Sequence, residues 1–399
     1  MKRKRIESIA GCLLLSAILL IGSPNLQIRV SADEVEPALE VTRMGTLAGR
    51  KAAENQAVTI LMVGDILLHT PVEESAKRED GTYDFHAIFS HTQGEIAAAD
   101  LALVNQEVMI GGAELGISGY PAFNAPYEIG DALVDAGFDV VCQATNHALD
   151  KGAKGINNCM NYWTTAHPQV EVLGIHQSAE DQATISYFEQ KGIRIAILNY
   201  TYGTNGVSLP KNMPYAVDLM EEGRVKKDLA EAEEKADFTV VVPHWGTEYQ
   251  LQPSSYQKKW AKIFEEGGAD LVIGAHPHVI EPVEWIENTQ TGHRMLCYYS
   301  LGNFVNWTSG AGKGVANRMV GGMAVVELKK TGNDVTISNY GVEALVCHLT
   351  PGTDGVSTYF LRDYSEEMGQ GNAIRSRDGS FSYRYCVDLC NEVWGDLWY

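Results

Sequence analysis

Short runs of β-branched and aliphatic residues recur along the chain and alternate with segments of helical periodicity. Runs that predict strands are Val58–Val63, Leu101–Val104, Asp139–Cys142, Arg194–Leu198, Phe238–Val242, Leu271–Ile273 and Met295–Tyr299. Apolar residues three or four apart predict helices over Ile129–Ala136, Arg224–Ala236 and Tyr256–Glu266. Alternating strands and helices predict an α/β fold with a mixed sheet.

The pattern changes toward the C-terminus and divides the chain. From Val283 to about residue 345 it predicts strands without helices, which indicates an antiparallel edge or a second sheet. Residues 346–399 are aromatic and loop-like, and we interpret them as an extension packing on a domain formed by residues 57–345. Residues 33–56 lack steady periodicity and are interpreted as a linker.

The N-terminal segment is typical of an export signal. Basic residues 2–5 precede the apolar run Ile9–Ile21, and Val30-Ser31-Ala32 offers small residues for cleavage. At about 1.5 Å per residue, this run is too short to cross a ~30 Å hydrocarbon core upright. We predict a signal peptide over residues 1–32, with an uncleaved N-terminal anchor as the alternative. The protein is then extracytoplasmic, either secreted or anchored at the cell surface.

Composition narrows the class of partner. The 399 residues include 51 Asp and Glu against 31 Lys and Arg, a formal net charge of −20. This balance argues against a nucleic-acid partner, which requires a basic face, and against adhesion to an anionic membrane surface. Seven cysteines without a CxxC pair argue against a thiolate zinc site.

Polar residues follow six of the predicted strands directly. These residues are Asp65, Asn105, Glu107, Asn146, His147, Asp150, His244, Glu248, His276, His278 and Asn303. In open α/β sheets, ligands bind outside the carboxyl ends of the strands. We therefore expect these side chains to meet in one polar pocket.

Carboxylate, imidazole and amide groups brought together in this way are suited to a divalent metal. One or two ions of Zn, Mn or Fe would relieve the cost of grouping them, and two such ions can activate water for a displacement at phosphorus. Pro277 predicts extended backbone before it, so that His276 and His278 point the same way. Alternatively, Asp65 caps a helix, and Asn146 and His147 shape a turn. The remaining histidines are expected to be structural: His69, His86, His91, His167, His176, His293 and His348.

The combined motifs resemble those of the CapA family of capsule-synthesis proteins, which is associated with poly-γ-glutamate. The matching segments are VGDILL (63–68), NQEV (105–108), TNHALDKG (145–152), PHWGTEY (243–249), GAHPHVIEP (274–282) and SLGNF (300–304). That family is similar to the calcineurin-like metallophosphoesterases, so the resemblance implies a two-sheet sandwich flanked by helices.

The resemblance also implies roles for individual residues. Asp65 and His278 would bind a first metal, Asn146, His244 and His276 a second, and Glu107 would bridge them. His147 would face the substrate as an acid or electrostatic stabiliser, with Asp150 and Glu248 as further catalytic candidates or as residues that orient imidazoles. Two departures stand out. Leu67 replaces the histidine of the phosphoesterase Asp-x-His motif, and Glu107 replaces an aspartate.

Three functions are compatible with the sequence. The first is an exported metal-dependent hydrolase acting on an anionic cell-surface polymer or its phosphorylated precursor. The second is a non-catalytic accessory subunit that binds or guides the nascent polymer beside a membrane synthase. The third is a secreted binding protein for a small ligand. Because the protein is acidic, local bases such as Lys211, Lys313 or Arg318 would have to offset its repulsion of a polyanion.

Overall fold

The structure is a computed structural model that describes residues 57–352 and 355–399. These residues form fourteen strands: β1 (Val58–Ile66), β2 (Leu101–Asn105), β3 (Val140–Cys142), β4 (Glu171–Leu173), β5 (Ser186–Gln190), β6 (Ile193–Thr201), β7 (Phe238–His244), β8 (Leu271–Ile273), β9 (Val283–Glu287), β10 (Arg294–Tyr298), β11 (Asn303–Val305), β12 (Val320–Thr331), β13 (Asp334–Leu349) and β14 (Val356–Phe360). The predicted signal peptide and linker lie outside the described residues.

The same residues form ten α-helices: α1 (Thr70–Ala76), α2 (His86–Phe89), α3 (Gln93–Ile96), α4 (Glu128–Ala136), α5 (Gly152–Ala166), α6 (Ala179–Gln182), α7 (Glu222–Lys235), α8 (Ser255–Glu266), α9 (Glu366–Gly371) and α10 (Tyr383–Trp394). Helices α4, α7 and α8 confirm the three predicted helices to within two residues at each end. In the described part of the chain, no helix is both long and apolar enough to span a membrane.

The first sheet has the strand order β14-β13-β12-β1-β2-β3-β4, and β11 pairs with the end of β1. Strands β1 to β4 are parallel, whereas β12, β13 and β14 run antiparallel to their neighbours. The second sheet has the order β5-β6-β7-β8-β10-β9, with a parallel centre and antiparallel strands at both edges. The carboxyl ends of the parallel strands carry the polar residues singled out above.

Alternating residues of the second sheet face two different cores. Ile195, Ile197 and Val240 belong to the core shared with the first sheet, whereas Ala196, Leu198 and Val241 belong to a second core together with apolar residues of α7 and α8. A strand with apolar residues on both faces appears in the sequence as a continuous hydrophobic run. For this reason β6, β7 and β8 could be predicted from the sequence. The predicted two-sheet sandwich flanked by helices is confirmed.

The C-terminal segment is more regular than expected. Residues 346–399 contain β14, α9 and α10, so the loop-like prediction is wrong, because aromatic residues there fill a core rather than a loop. The boundary proposed at residue 345 falls inside β13. Trp394 donates a hydrogen bond from Nε1 to the backbone oxygen of Glu281 at 3.0 Å. This bond attaches α10 to the loop that follows β8.

Candidate metal centre

The polar strand ends of the two sheets meet at one place. In the first sheet, Asp65 is in register with Asn105 of β2 and with Asn303 of β11. In the second sheet, His244 at the end of β7 forms a bridge with Ala275, the residue before His276. The parallel strands therefore deliver carboxylate, amide and imidazole groups to one shared edge.

Gly64 allows the close approach that positions Asp65. A Cβ at residue 64 would lie 1.9 Å from the backbone oxygen of Gly302. The amide of Asp65 donates a hydrogen bond to that same oxygen at 2.9 Å. The glycine of the VGD motif is thus required because two backbones touch there.

Asp65 is held by groups from three directions. Its Oδ1 accepts hydrogen bonds from Asn105 Nδ2 at 2.8 Å and from the backbone amide of His276 at 3.2 Å. Its Oδ2 lies 3.0 Å from His278 Nδ1, which is also 3.0 Å from Asn303 Oδ1. These contacts fix the orientation of His278 and leave its Nε2 facing inward.

Glu107 occupies the centre of the cluster without a hydrogen-bond partner. Its Oε1 lies 3.6 Å from His278 Nε2 and 3.8 Å from His244 Nε2. Among the described residues, neither oxygen of this buried carboxylate has a hydrogen-bond partner, nor does Nδ1 of the buried His276. Unpartnered buried polar atoms are costly, so their gathering here indicates that a ligand completes the site.

Three overlapping sets of side chains could hold a cation. They are Glu107 with His244 and His276, Asp65 with Glu107 and His278, and Glu248 with His276 and His278. In each set the donor atoms lie within 4.8 Å of one another. Nitrogen and carboxylate oxygen are the donors that Zn²⁺ and related divalent metals take in proteins. The donor set and the unpartnered atoms therefore fit one or two such ions.

Burial sets the protonation of the imidazoles. It lowers the pKa of His244 well below its ordinary value, and it does the same to the pKa of His276. Burial also opposes a charge on His278, but Glu107 and the hydrogen bond to Asp65 outweigh it and raise the pKa to about 9. Burial raises the pKa of Glu107 above its ordinary value. The neutral imidazoles of His244 and His276 can act as metal ligands without first losing a proton. A bound cation would relieve the cost of placing a negative charge on the buried Glu107.

The two histidines of the His-Pro-His motif converge by a different geometry from the one predicted. Extended backbone was expected, but His276 has φ 101° and His278 has φ 58°, both in the left-handed region. That prediction is wrong because the chain turns sharply after β8, which lets the His276 amide reach Asp65. Non-glycine residues in this region cost about 1–3 kcal/mol each, a strain that gathers at functional sites.

His147 stands beside this cluster and is oriented by Asp150. The His147 Nδ1 atom lies 2.7 Å from Asp150 Oδ2, which also accepts a hydrogen bond from the Phe123 amide at 2.7 Å. The Phe123 ring packs edge-on against the imidazole, with centroids 4.7 Å apart. This arrangement makes Nε2 the atom of His147 that is available to exchange a proton. The side chain predicted as catalytic is thereby held in one orientation.

The remaining predicted residues also lie at the site. His244 Nε2 is 2.9 Å from Asn146 Oδ1. Glu248 is exposed and faces His276 and His278 as a third possible ligand, and within the described residues it makes no hydrogen bond to an imidazole. The position of Glu248 therefore favours metal binding over orientation of a histidine. All nine residues singled out as catalytic or metal-binding candidates come together here, and their roles stay predictions.

Sequence reasoning assigned no individual role to several residues that shape the centre, although it placed Asn303 in the pocket. Asn303 supports His278, Asn205 Oδ1 accepts a hydrogen bond from Asn146 Nδ2 at 3.3 Å, and the Tyr202 ring lies 4.7 Å from that of His276. Asn303 carried a signal, since it follows a strand as the others do. Tyr202 and Asn205 lie in the loop after β6, where no motif marked them.

The family can now be assigned. The family described as "Bacterial capsule synthesis protein PGA_cap" matches residues 59–308, which include every residue of the centre. The chain belongs to this family. It is 29% identical over 322 residues to the capsule biosynthesis protein CapA of Bacillus anthracis, covering 77% of this chain and 71% of that protein. It is 35% identical over 181 residues to the PGA biosynthesis protein CapA of Bacillus subtilis, covering 44% of this chain and 45% of that protein.

Solved structures with some likeness include phosphoesterases. A 5'-nucleotidase precursor from Thermus thermophilus covers 73% of this chain and 54% of its own, with a TM-score of 0.44 and 15% identity. A calcineurin-like phosphoesterase from Bacillus subtilis covers 72% of this chain and 90% of its own, with a TM-score of 0.41 and 12% identity. Likenesses this distant carry no weight for the chemistry of this chain, which rests on its own residues.

Proposed function

We propose that this capsule-synthesis family member is an exported, metal-dependent hydrolase that acts on an anionic cell-surface polymer or on its phosphorylated precursor. The observation that carries the proposal is the buried Glu107 carboxylate, which has no hydrogen-bond partner among the described residues and faces His244 and His278. A structural role would favour satisfied groups, whereas a metal site needs donors left free.

The chain supplies defined groups for such a reaction. Asp65, Glu107, His244, His276 and His278 would hold the metal, with Glu248 and Asn146 at its rim. When bound, a divalent metal supplies Lewis-acid activation of water and of the bond under attack. Asp150 orients His147, whose Nε2 would hand a proton to the leaving group. Asn105 and Asn303 keep Asp65 and His278 in place throughout.

One observation favours a second function, that of a non-catalytic subunit guiding the polymer beside a membrane synthase. Leu67, where phosphoesterases have a histidine, is buried and apolar, so it offers no nitrogen to a first metal. A site with fewer ligands binds metal more weakly or holds a single ion. In this case the centre would bind the polymer through its metal without cleaving it.

Hydrolysis assays decide between the two functions. The purified protein, loaded with Mn, Fe or Zn, is tested on a generic phosphodiester and on a γ-glutamyl oligomer. The hydrolase proposal expects turnover of at least one, and expects the His244→Ala variant to lose it. Turnover that survives His244→Ala would reject the assigned centre. Metal binding without turnover, together with capture of membrane partners, would favour the accessory subunit.

A further inference from the structure

A small cavity opens directly beside the metal centre. Its volume is about 210 Å³, and His278 contributes to its lining together with Arg318, Thr308, Tyr249 and His69. It therefore shares a residue with the candidate centre while extending away from it. A ligand seated at the metal would have its neighbouring groups in this cavity.

Arg318 is the cationic group of the cavity, and its charge is not neutralised by a carboxylate. Its Nη1 donates a hydrogen bond to Thr308 Oγ1 at 2.8 Å, and its Cζ lies 3.5 Å from the centroid of the Tyr249 ring. Within residues 57–352 and 355–399, no carboxylate lies at ion-pair distance from this guanidinium, and its buried Nε has no acceptor. The side of a guanidinium that carries Nε is one that binds carboxylate or phosphate through two parallel hydrogen bonds.

Arg318 differs from those arginines of this acidic protein that pair with carboxylates. The chain has 51 acidic residues against 31 basic ones, so a carboxylate partner is easily found. Arg224, for comparison, lies 3.0 Å from Asp218 and 3.1 Å from Asp228. The cation–π contact with Tyr249 and the hydrogen bond to Thr308 hold Arg318 in place without a carboxylate partner, so the guanidinium can still pair with an anion.

The cavity is also rigidly linked to the metal centre. Asn303 donates a hydrogen bond from Nδ2 to the backbone oxygen of Arg318 at 3.0 Å, while its Oδ1 lies 3.0 Å from His278 Nδ1. One side chain thus sets the position of the arginine backbone and of a candidate metal ligand. The distance between the two binding points is fixed by the fold, as recognition of adjacent groups on one ligand requires.

Exposed tyrosines lie at this cavity and at the metal centre beside it. Tyr120 is 75% exposed and Tyr249 is 45% exposed, and both line the cavity, while Tyr202 is 39% exposed beside His276. Large amphipathic rings left in water beside a polar site give a ligand apolar contact area together with hydrogen-bonding hydroxyls. Their position favours a ligand longer than a single small anion.

We propose that the Arg318 cavity is an oxyanion subsite. It binds a carboxylate or phosphate of the ligand next to the group that reaches the metal centre. The inference rests on the proposed function for the identity of that ligand, but not for the existence of the subsite. Arg318 is a specificity-determining residue, and it takes no part in holding the metal.

Binding to metal-free and metal-loaded full-length protein tests the subsite. The probes are a γ-linked glutamate pentamer and inorganic phosphate, with dissociation constants measured by calorimetry in chelator and again after adding Mn. The variant is Arg318→Gln. Lys329→Gln is the matched control, because it removes the same charge from an exposed residue of β12 near the start of β1, at the opposite end of that strand from Asp65. Circular dichroism and metal content are recorded for each protein.

We expect Arg318→Gln to weaken binding of at least one probe about tenfold or more, as befits a lost hydrogen bond to a charged group. Lys329→Gln should change it little, and the metal content of both variants should match the parent. The probe affected tells whether the subsite takes carboxylate or phosphate. If the parent binds neither probe, or if Arg318→Gln binds both as the parent does, the subsite is rejected. The hydrolase proposal fails separately if the parent shows no turnover while its binding of a probe still depends on Arg318.

Discussion

Within the described residues, two clusters of carboxylates centred on buried histidines can be compared, and they differ in how completely their groups are paired. In the His176 cluster, defined as His176, Asp181, Asp218, Arg224 and Asp228, both imidazole nitrogens lie beside carboxylates. His176 Nε2 is 2.8 Å from Asp218, and Nδ1 is 3.4 Å from Asp181, near enough for an ion pair although not aligned as a hydrogen bond. In the metal centre, by contrast, both oxygens of Glu107 lack partners within the described residues.

The comparison shows why residue type alone does not reveal function. The histidines of both clusters are buried, and both clusters contain imidazole and carboxylate groups. The His176 cluster joins α6 and α7 to the segment between β4 and α6 and to the segment between β6 and α7, and its imidazole and guanidinium lie beside carboxylates. The metal centre leaves donor atoms without hydrogen-bond partners, which destabilises the fold. Natural folds tolerate such destabilisation at sites where a bound ligand offsets it.

The largest expected difference between the clusters concerns metal affinity. His244→Ala should weaken metal binding by more than about 100-fold, because even partners that merely orient ligands cost about 10–100-fold when lost. His176→Ala, the matched control from the other cluster, should leave metal affinity unchanged. Titration with Mn or Zn, followed by competition with a chelator, measures both. Equal losses of metal affinity in His244→Ala and His176→Ala would contradict the distinction between the two clusters.

Orientation of His147 should matter to turnover but not to metal binding. Asp150→Asn keeps the shape of the side chain but alters the hydrogen bond that fixes His147 Nδ1. We expect turnover to fall by about 10–100-fold, since a general acid contributes about 10²–10⁴-fold and only its alignment is lost. The metal content should stay at the parent value. A fall in metal content would instead place Asp150 among the groups that hold the ion.

Stability should depend on pH through the His176 cluster. Burial opposes a charge on His176, but its close contacts with the carboxylates of Asp181 and Asp218 outweigh it and raise the pKa from 6.5 to about 9. The charged imidazole therefore stabilises the fold fully below pH 6.5, and this contribution is lost as the pH rises through about 9. At pH 6, His176→Gln should cost on the order of 2–3 kcal/mol.

Denaturant unfolding at pH 6 and at pH 9.5 measures this dependence. The difference between His176→Gln and the parent should be present at pH 6 and nearly gone at pH 9.5. His86→Gln is the control, because His86 also contacts two carboxylates but is exposed, where such pairs contribute about 1 kcal/mol or less. A His176→Gln effect that is the same at both pH values would indicate lost packing instead.

The smallest expected effect has the opposite sign. Glu107→Gln removes a buried carboxylate that has no hydrogen-bond partner among the described residues. In chelator, this variant should be as stable as the parent or more stable by about 1–3 kcal/mol, because a desolvated acid is gone. Added metal should stabilise the parent and not the variant. Destabilisation of the metal-free variant would show that Glu107 serves the fold.

Much of the fold and most of the centre were accessible from the sequence. Strands with apolar residues on both faces stand out as runs, and a polar residue directly after such a run marks a strand end, which is how Asp65, His244 and His276 were found. Short or half-exposed elements such as β4 and β5 carry no such contrast. The loop residue Tyr202 becomes visible only in the structure, and Arg318, named from the sequence only as one of three candidate bases, gains its place beside Tyr249 only there, because these partners are distant in sequence.

Counting metal ions in the purified protein tests the central claim most directly. The protein is incubated with Mn, Fe or Zn, passed through a desalting column, and analysed by mass spectrometry for metal per chain. The parent should retain one or two equivalents, and the Glu107→Gln variant should retain fewer. A parent that holds no metal, and whose unfolding temperature responds to none of the three, would contradict the account.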